Sequence, residues 1–425
     1  MDVEDTTDNA IRAEARSWYE DNWDPDLNVS LWYQRLAESG WGYPTWPVGL
    51  CGRALSARGA RIVREERRRV GALAPNSGIG PTLLTPMLLA HGTPEQKARF
   101  LWALATRNET CCQMLSEPDA GSDLANVRTK AVRDGDEWVV TGSKIWTSNA
   151  DIVDFGMLLA RTNSDVPKHR GLTFFLIRRD QPGVTVVPLR QMTGDARFNE
   201  VFFNEARVSA ADVLGDIEGG WAVTLTFLAH EKNSYNPASH EGGPFGKVDM
   251  ALSAGEVVAR ERSRTSAASQ GRGVGAVLDS LIAHSHQAGS ATVRQRQAAL
   301  FSMRRAMNYT NDRVASAGAS LGAAVGPMSK LTVSELTRRQ RDLGLQALGP
   351  AGMLSGADAP SASFAHFALH TPSLSIAGGT DEIQRNSIGE RVLGLPAEPR
   401  LDRDVPFKDL LQQPRSEPKP QPERN

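Results

Sequence analysis

The sequence predicts an α+β protein, mostly α, with an N-terminal helical domain, a central antiparallel β-barrel or sandwich and a C-terminal helical bundle. Helical patterning covers residues 1–108, short β-branched runs separated by turn residues occupy 109–215, and helix formers dominate 216–398. Helices before and after a block of strands are typical of α+β proteins and not of alternating βαβ folds. Residues 399–425 are rich in proline and charge, which predicts a disordered tail.

The first block contains a strong helix start in the Thr-Pro-Glu-Gln sequence at 93–96. The threonine suits the cap, the proline suits the first helical position, and the glutamine can complete a capping box. Phe100, Leu101 and Leu104 then give this helix one apolar face. Residues 60–73 carry a few apolar side chains among many charges, which predicts a surface helix with a narrow buried stripe.

The middle block is a series of short apolar runs bounded by Asp, Gly, Asn and Pro. Strands at such spacing predict a compact antiparallel barrel or sandwich. The runs cover residues 137–142, 144–148, 155–159, 172–177 and 183–187.

The third block begins after Gly219-Gly220, where the apolar run from Trp221 predicts a helix. Residues 293–340 contain helix formers and few breakers, which predicts long helices. Between these lies a polar segment, 233–273, which we interpret as a loop or insertion with at most a short helix near 248–261.

Composition excludes several classes of protein. The 48 Lys+Arg and 49 Asp+Glu leave a formal charge of −1, so no overall basic character favours nucleic acid. The three cysteines include no Cys-x-x-Cys pair, which argues against a disulfide framework or a zinc site, and we expect no bound metal. The polar N-terminus and the absence of a long apolar run predict a cytoplasmic protein without membrane contact.

Three segments resemble, in order and on the right blocks, the signatures of the acyl-CoA dehydrogenase family. They are Gln-Met-Leu-Ser-Glu-Pro-Asp-Ala-Gly-Ser-Asp at 113–123, the run at 136–149 that contains Lys-Ile-Trp-Thr-Ser, and Gly-Gly-Thr-Asp-Glu-Ile-Gln-Arg at 378–385. The similarity covers about residues 5 to 398. It implies a helical domain, a β-domain and a helical bundle, with FAD held between the last two.

The resemblance also implies which residues meet the cofactor. Main-chain N–H groups and the Ser116 hydroxyl donate to the edge of the flavin ring and stabilise the negative charge of its reduced form. Trp146 matches the tryptophan that packs against the flavin, and Ser122 matches the serine that meets the thioester arm of the substrate. The cofactor contacts expected on the β-domain are Gln113, Leu115, Ser116, Trp146, Thr147 and Ser148.

The base that removes the substrate α-proton departs from the common pattern. Much of the family places a Glu directly before Gly-Thr in the third segment, where this chain has Gly378. A branch of the family takes its Glu from the helix that opens the C-terminal domain, just before an Arg; here the pair is Glu231-Lys232. Val223, Phe227 and Glu231 fall at i, i+4 and i+8, so the carboxylate continues an apolar stripe. The main-chain N–H of Gly378 is expected to polarise the thioester carbonyl.

The resemblance implies that FAD also touches a neighbouring subunit. Gln346 and Gly349 match the segment that meets the cofactor across the interface, and Thr380 and Glu382 match positions near its pyrophosphate and adenine end. The Arg-x-x-Phe-Gly segment that many members use on the pyrophosphate is not found; residues 287–297 read differently. Some bacterial members are mixed assemblies of two related chains, so a dimer or tetramer with a related second chain is also expected.

The sequence therefore predicts an FAD-dependent acyl-CoA dehydrogenase in which Glu231 takes the α-proton and flavin N5 takes the β-hydride. An electron-transfer flavoprotein is the expected electron acceptor. Two alternatives stay open at this point. The scaffold could act as an oxidase or monooxygenase with O₂ as acceptor, or the chain could be a non-catalytic partner that completes the site of another subunit.

Overall fold

A computed structural model describes residues 3–234, 248–261, 290–317, 322–354, 362–399 and 402–412. The N-terminal helices are α1 (Val3–Asn22), α2 (Val29–Ser39), α3 (Ala57–Val70), α4 (Thr85–His91) and α5 (Pro94–Thr106). The strands are β1 (Cys111–Met114), β2 (Lys130–Asp134), β3 (Glu137–Ser148), β4 (Phe155–Arg161), β5 (Leu172–Arg178), β6 (Val184–Leu189), β7 (Phe198–Ser209) and β8 (Val213–Leu214). The later helices are α6 (Gly220–Ser234), α7 (Ala291–Ala317), α8 (Gly322–Leu348), α9 (Ala362–His370), α10 (Asp381–Ser387) and α11 (Phe407–Gln412). The predicted order of helices, strands and helices is confirmed.

The predicted start of α5 is present as a complete capping box. The Thr93 hydroxyl accepts the Gln96 N–H at 3.2 Å, and the Gln96 side chain accepts the Thr93 N–H at 3.1 Å. Phe100, Leu101 and Leu104 are all buried, as the apolar spacing predicts. These three side chains direct α5 towards the sheet.

The β-domain is an eight-stranded sheet in the order β6-β7-β3-β2-β4-β5-β8, with β1 beside β4. Most neighbours are antiparallel, as predicted, but β1 and β2 each pair with β4 in parallel. Every residue of β4 is buried, because side chains of opposite parity enter separate cores on the two faces of the sheet. Phe174 packs with Phe100 and Phe227 on one face, and Phe175 packs with Trp138 on the other.

The C-terminal helices have a smaller core of their own. Val293 and Leu300 of α7 pack against Leu336 and Leu343 of α8. Helix α8 also contacts α6 and α10, so it connects two helices that carry predicted site residues. None of the described helices is both long enough and apolar enough to cross a membrane.

The polar segment 233–273 contains the short helix expected near its middle. Residues 254–261 are helical, and this stretch docks on the N-terminal helices. The Ala254 N–H donates to the Leu27 carbonyl at 2.7 Å, and Val257 is buried. The rest of the segment, 235–247 and 262–273, lies outside the described residues.

The prediction that 399–425 form a disordered tail is wrong for residues 402–412. Phe407 is buried, its N–H donates to the Val166 carbonyl at 2.9 Å, and the Arg161 guanidinium lies 3.7 Å from its ring centroid. Asp402 pairs with Lys168 at 2.5 Å. One aromatic and one acid anchor this stretch to the β-domain, and a composition averaged over the whole tail does not reveal them. Residues 413–425 lie outside the described residues.

Glu66 is a buried carboxylate that joins α1 to α3. It accepts hydrogen bonds from Arg16 at 2.9 Å, Arg12 at 2.7 Å and Arg69 at 2.9 Å. The Arg16 hydrogen bond and those from Arg12 and Arg69 outweigh the effect of burial and hold the Glu66 pKa at about 2. Because the pKa is depressed in the folded state, this stabilisation is complete above the unfolded pKa near 4.5 and is lost as pH falls through 2.

We expect Glu66→Gln to lower the free energy of unfolding at pH 7 by about 1–3 kcal/mol. It should also flatten the loss of stability between about pH 4.5 and pH 2. Urea midpoints at pH 7 and pH 3 measure both effects. The control is Glu65→Gln, because Glu65 is half exposed and bonds Arg12. Equal midpoints for the two variants at both pH values would contradict the expectation.

Candidate active site

The segment that follows β1 carries the first group of predicted site residues. Cys112 and Met114 are buried, and alternation along the strand turns the half-buried Gln113 towards the opposite face. Ser116 is half-buried just beyond the strand, where its hydroxyl can be reached. Leu115 is 7% exposed, so only its main chain can contact a ligand.

Trp146 occupies an irregular position near the end of β3. The pairing of β3 with β7 shifts register between Lys144 and Thr147, and Trp146 has φ of +60°. A non-glycine residue in this left-handed region costs of order 1–3 kcal/mol and must be held there by its surroundings. The irregularity leaves the Trp146 side chain 52% exposed, in edge-to-face contact with Phe198 at 5.9 Å between ring centroids. A large aromatic surface is thus available to a flat ligand.

The two residues after Trp146 face different surroundings. Thr147 is completely buried, and its hydroxyl has no hydrogen-bond partner within the described part of the chain. Its carbonyl accepts the Asn199 side chain at 3.2 Å. Ser148 is half-buried. A ligand beside Trp146 could therefore reach the Ser148 hydroxyl, whereas Thr147 could offer only its main chain.

The two predicted flavin segments lie side by side. The Ile145 N–H donates to the Ser116 carbonyl at 2.9 Å. The Lys144 ammonium, with a completely buried side chain, donates to the Leu115 carbonyl at 2.9 Å and to Glu117 at 2.7 Å. The sequence analysis missed Lys144 and Glu117 as site supports. The signal that could have identified them is the presence of one acidic and one basic residue within the two segments, 113–123 and 136–149, that resemble the family signatures.

Glu117 connects a third segment to these two. It accepts the main-chain N–H of Arg128 at 2.6 Å and of Thr129 at 2.9 Å. Burial alone would raise the Glu117 pKa, but the Lys144 charge and these hydrogen bonds outweigh burial and lower it. Burial lowers the Lys144 pKa to about 8 against the opposing effect of Glu117. We call the surface formed by Ser116, Trp146 and Ser148 the ligand face. The Lys144–Glu117 pair presents no net charge to it.

Ser122 lies in the connection between Glu117 and Arg128, just after a tight turn. Glu117 and Ala120 exchange main-chain hydrogen bonds of 3.0 Å, which closes the turn. Ser122 follows it and is exposed. The next residue, Asp123, pairs with Lys168 of the β4–β5 loop at 2.8 Å. Ser122 is thus an exposed hydroxyl next to an anchored carboxylate.

Helix α6 carries the predicted base and starts directly against the sheet. A side chain at Gly220 would come within 2.8 Å of the Leu172 carbonyl oxygen, so only glycine allows this close approach. Val223 and Phe227 are each 1% exposed, which confirms the predicted apolar stripe. Glu231 is half-buried at the next position of that stripe and has a polar interaction of its own.

The third signature forms a glycine turn followed by α10. Gly378 and Gly379 have φ of +67° and +86°, and the Gln384 side chain donates to the Gly378 carbonyl at 2.8 Å. The Thr380 hydroxyl caps α10 by accepting the Ile383 N–H at 3.3 Å. Glu382 projects from the first turn of α10 and is exposed.

Asp381, within the same signature, holds α10 onto α8. Its carboxylate accepts the buried Lys330 ammonium at 3.0 Å and Arg338 at 2.8 Å. The sequence analysis missed Asp381 as a support, because its partners lie more than 40 residues away in the chain. Gly378 and Thr380 therefore lie directly beside an ionic cluster in which Asp381 and Lys330 are buried.

Gln346 and Gly349 lie at the C-terminal end of α8. Gln346 accepts the Arg296 guanidinium at 2.7 Å, and Gly349 has φ of +55° just after α8 ends. Eight residues separate Gln346 from Arg338, so it lies about 12 Å farther along α8 than the contact with Asp381. The expected role of Gln346 and Gly349 towards a neighbouring subunit stays a prediction.

Family comparisons agree with this architecture. The chain matches the acyl-CoA dehydrogenase N-terminal domain over residues 1–108, the middle domain over 112–206 and the C-terminal domain over 254–393. It is 36% identical to the acyl-CoA dehydrogenase IpdE1 of Mycobacterium tuberculosis over 86% of this chain and 88% of that protein. It is 33% identical to IpdE1 of Mycolicibacterium smegmatis over 91% of this chain and 98% of that protein.

Solved structures with the same fold include two whose titles name a pair of proteins. The Tcur3481-Tcur3483 steroid ACAD is 25% identical, with a TM-score of 0.63 over 92% of this chain and 98% of that chain. The ChsE4-ChsE5 complex from Mycobacterium tuberculosis is 25% identical, with a TM-score of 0.61 and the same coverage. Taken with the three matched domains and the near full-length relatives, these findings show that the chain is an enzyme of the acyl-CoA dehydrogenase family.

Proposed function

We propose that this enzyme converts an acyl-CoA thioester to the 2-enoyl-CoA with FAD as cofactor and Glu231 as the base for the α-proton. The observation that carries the proposal is the half-buried carboxylate at the end of the apolar stripe of α6. The alternative family position for the base is Gly378, which has no side chain. Glu231 is thus the carboxylate left for the task.

The ligand face of the β-domain fits a flavin. It combines the exposed indole of Trp146 with the half-buried hydroxyls of Ser116 and Ser148. The nearby Glu117 turns inward and is paired with Lys144. The face therefore presents an aromatic surface and hydrogen-bond donors, which suit the polar edge of an isoalloxazine ring. When FAD is bound, the chemistry it supplies is acceptance of a hydride from the substrate β-carbon.

The protein groups have separate roles in the proposed reaction. Glu231 removes the α-proton, and its half-buried carboxylate lies at the end of the apolar stripe of α6. The Gly378 N–H polarises the thioester carbonyl and so stabilises the charge that develops there. Ser122 meets the thioester arm of the substrate. Gln113, Leu115 and Thr147 complete the cofactor face, and Thr380 and Glu382 serve its pyrophosphate and adenine end.

The proposed assembly is a dimer or tetramer in which Gln346 and Gly349 reach the FAD of a neighbouring subunit. Large apolar side chains are exposed on the C-terminal helices and their connections, which favours an interface there. Two solved relatives are titled with a pair of proteins each, which supports an assembly of this chain with a related second chain. The exposed set includes Phe301, Tyr309, Met353, Ile376 and Leu393.

An anaerobic visible spectrum of the FAD-loaded protein tests the proposal. A panel of acyl-CoAs runs from short linear chains to branched and polycyclic groups, the last because one solved relative is titled a steroid ACAD. Flavin bands that bleach with one class would support the reaction and name the substrate class. Electron transfer to an electron-transfer flavoprotein in the same cuvette would support the proposed acceptor.

Other outcomes would point elsewhere. Rapid reoxidation by air with peroxide formed would favour an oxidase on this scaffold. Flavin bands that no acyl-CoA bleaches would contradict the proposed reaction for the classes tested. A non-catalytic partner role is not favoured, because the near full-length relatives are themselves named acyl-CoA dehydrogenases.

A further inference from the structure

We propose that Lys144 is a positioning residue that aims and strengthens the Ser116 N–H as a hydrogen-bond donor to the flavin. This inference rests on the proposed FAD site and adds a residue that no sequence motif assigned to it. Lys144 itself is completely buried and so cannot touch a ligand. It acts through the main chain of the segment that does.

The first step is the geometry of one peptide unit. The Lys144 ammonium donates to the Leu115 carbonyl at 2.9 Å. The Leu115 carbonyl and the Ser116 N–H belong to the same planar trans peptide and point in opposite directions. Because the ammonium is in the interior, the Ser116 N–H points away from the interior. Lys144 thus sets the direction of that N–H.

The second step is that the next peptide unit is fixed as well. The Ser116 carbonyl accepts the Ile145 N–H at 2.9 Å. Hydrogen bonds from two consecutive residues of β3 therefore hold both peptide planes around Ser116. Trp146 is the residue after Ile145 in β3. The hydrogen bond between Ile145 and Ser116 therefore places the proposed N–H donor beside the proposed aromatic surface.

The third step is electrostatic. A carbonyl that accepts a hydrogen bond from an ammonium group becomes more polarised, and its peptide N–H becomes a stronger donor. Glu117 holds the ammonium in place at 2.7 Å and balances its charge. The Lys144–Glu117 pair can therefore strengthen the Ser116 N–H without presenting a net charge to the ligand.

The test compares Lys144→Met with the double variant Glu117→Gln/Lys144→Met. The single variant leaves a buried carboxylate unpaired, whereas the double variant makes the pair neutral and is expected to recover the apoprotein melting temperature. Lys130→Met, at an exposed lysine of the neighbouring strand β2, is the matched control. FAD affinity is measured by quenching of FAD fluorescence, and the flavin midpoint potential by anaerobic dye equilibration.

We expect the dissociation constant for FAD to rise by about ten- to a hundredfold in the single and double variants and to stay unchanged in Lys130→Met. The midpoint potential should also fall, because the reduced ring loses stabilisation of its negative charge. Wild-type affinity and potential in either folded variant would overturn the inference, as would a double variant that cannot fold. A wild-type protein that binds no FAD would instead refute the proposed function, so the two failures are distinct.

Discussion

Glu231→Gln is expected to lower kcat for acyl-CoA dehydrogenation by roughly a thousandfold. Glutamine keeps the size of the side chain at this half-buried position of α6 but cannot take the α-proton. Binding of FAD and of the acyl-CoA should change little, because the apolar stripe of Val223 and Phe227 that seats the helix is unaltered. Stopped-flow bleaching of the flavin under anaerobic conditions measures the step directly.

The matched control is Glu218→Gln. Glu218 is exposed just before α6 begins, and its contact with the Asn163 side chain survives the substitution because a glutamine oxygen also accepts. This variant should bleach at the wild-type rate. If Glu231→Gln also bleached at that rate while binding FAD normally, another group would have to be the base.

The structure confirms the parts of the fold that depend on local sequence patterns. The capping box at Thr93 and the buried apolar face of α5 are encoded within a few residues of each other, so cap chemistry and periodicity predict them. Docking of a weakly patterned segment is different. Phe407 is one buried aromatic residue in a polar tail, and its partner Arg161 is over two hundred residues away in the chain. The local sequence therefore does not predict the contact.

The same distinction applies to the candidate site. Sequence motifs identify the residues expected to touch ligand, such as Ser116 and Trp146, because their chemistry is fixed by the cofactor. The supports Lys144 and Asp381 are charged residues whose burial depends on partners from other segments. A charge in a sequence is read as exposed by default, since charged residues are rarely buried unless they are paired. The three-dimensional structure is needed to identify such pairs.

Asp381→Asn is expected to be the most damaging single change to the C-terminal helices. The substitution leaves the Lys330 ammonium, 2% exposed, without its closest counter-charge and weakens the contact with Arg338. Removing one partner of a buried ion pair costs about 3–5 kcal/mol, because the other charge stays buried. Urea unfolding followed by far-ultraviolet circular dichroism measures the loss. Hydrogen exchange should show the loss of protection concentrated in α10 and α8.

A stabilising role of the Asp381 charge also predicts a pH dependence. Burial alone would raise the Asp381 pKa, but the hydrogen bonds from Lys330 and Ser334 and the nearby charges outweigh it and lower the pKa. The stabilisation is therefore present above the unfolded pKa of about 3.9 and lost as pH falls through the lower folded value. The wild type should lose this stabilisation in acid, whereas Asp381→Asn has none to lose.

A compensating change separates the charge effect from the loss of a particular side chain. Lys330→Met in the Asp381→Asn background removes the unpaired ammonium, so it should recover much of the lost stability. Asp342→Asn, at an exposed acid of α8, should unfold like the wild type. If Asp381→Asn matched that control, or if Lys330→Met destabilised it further, the cluster could not be what holds the Gly378–Thr380 turn in place. FAD affinity of the double variant then shows whether the turn needs the ionic cluster itself or only a well-packed contact between α10 and α8.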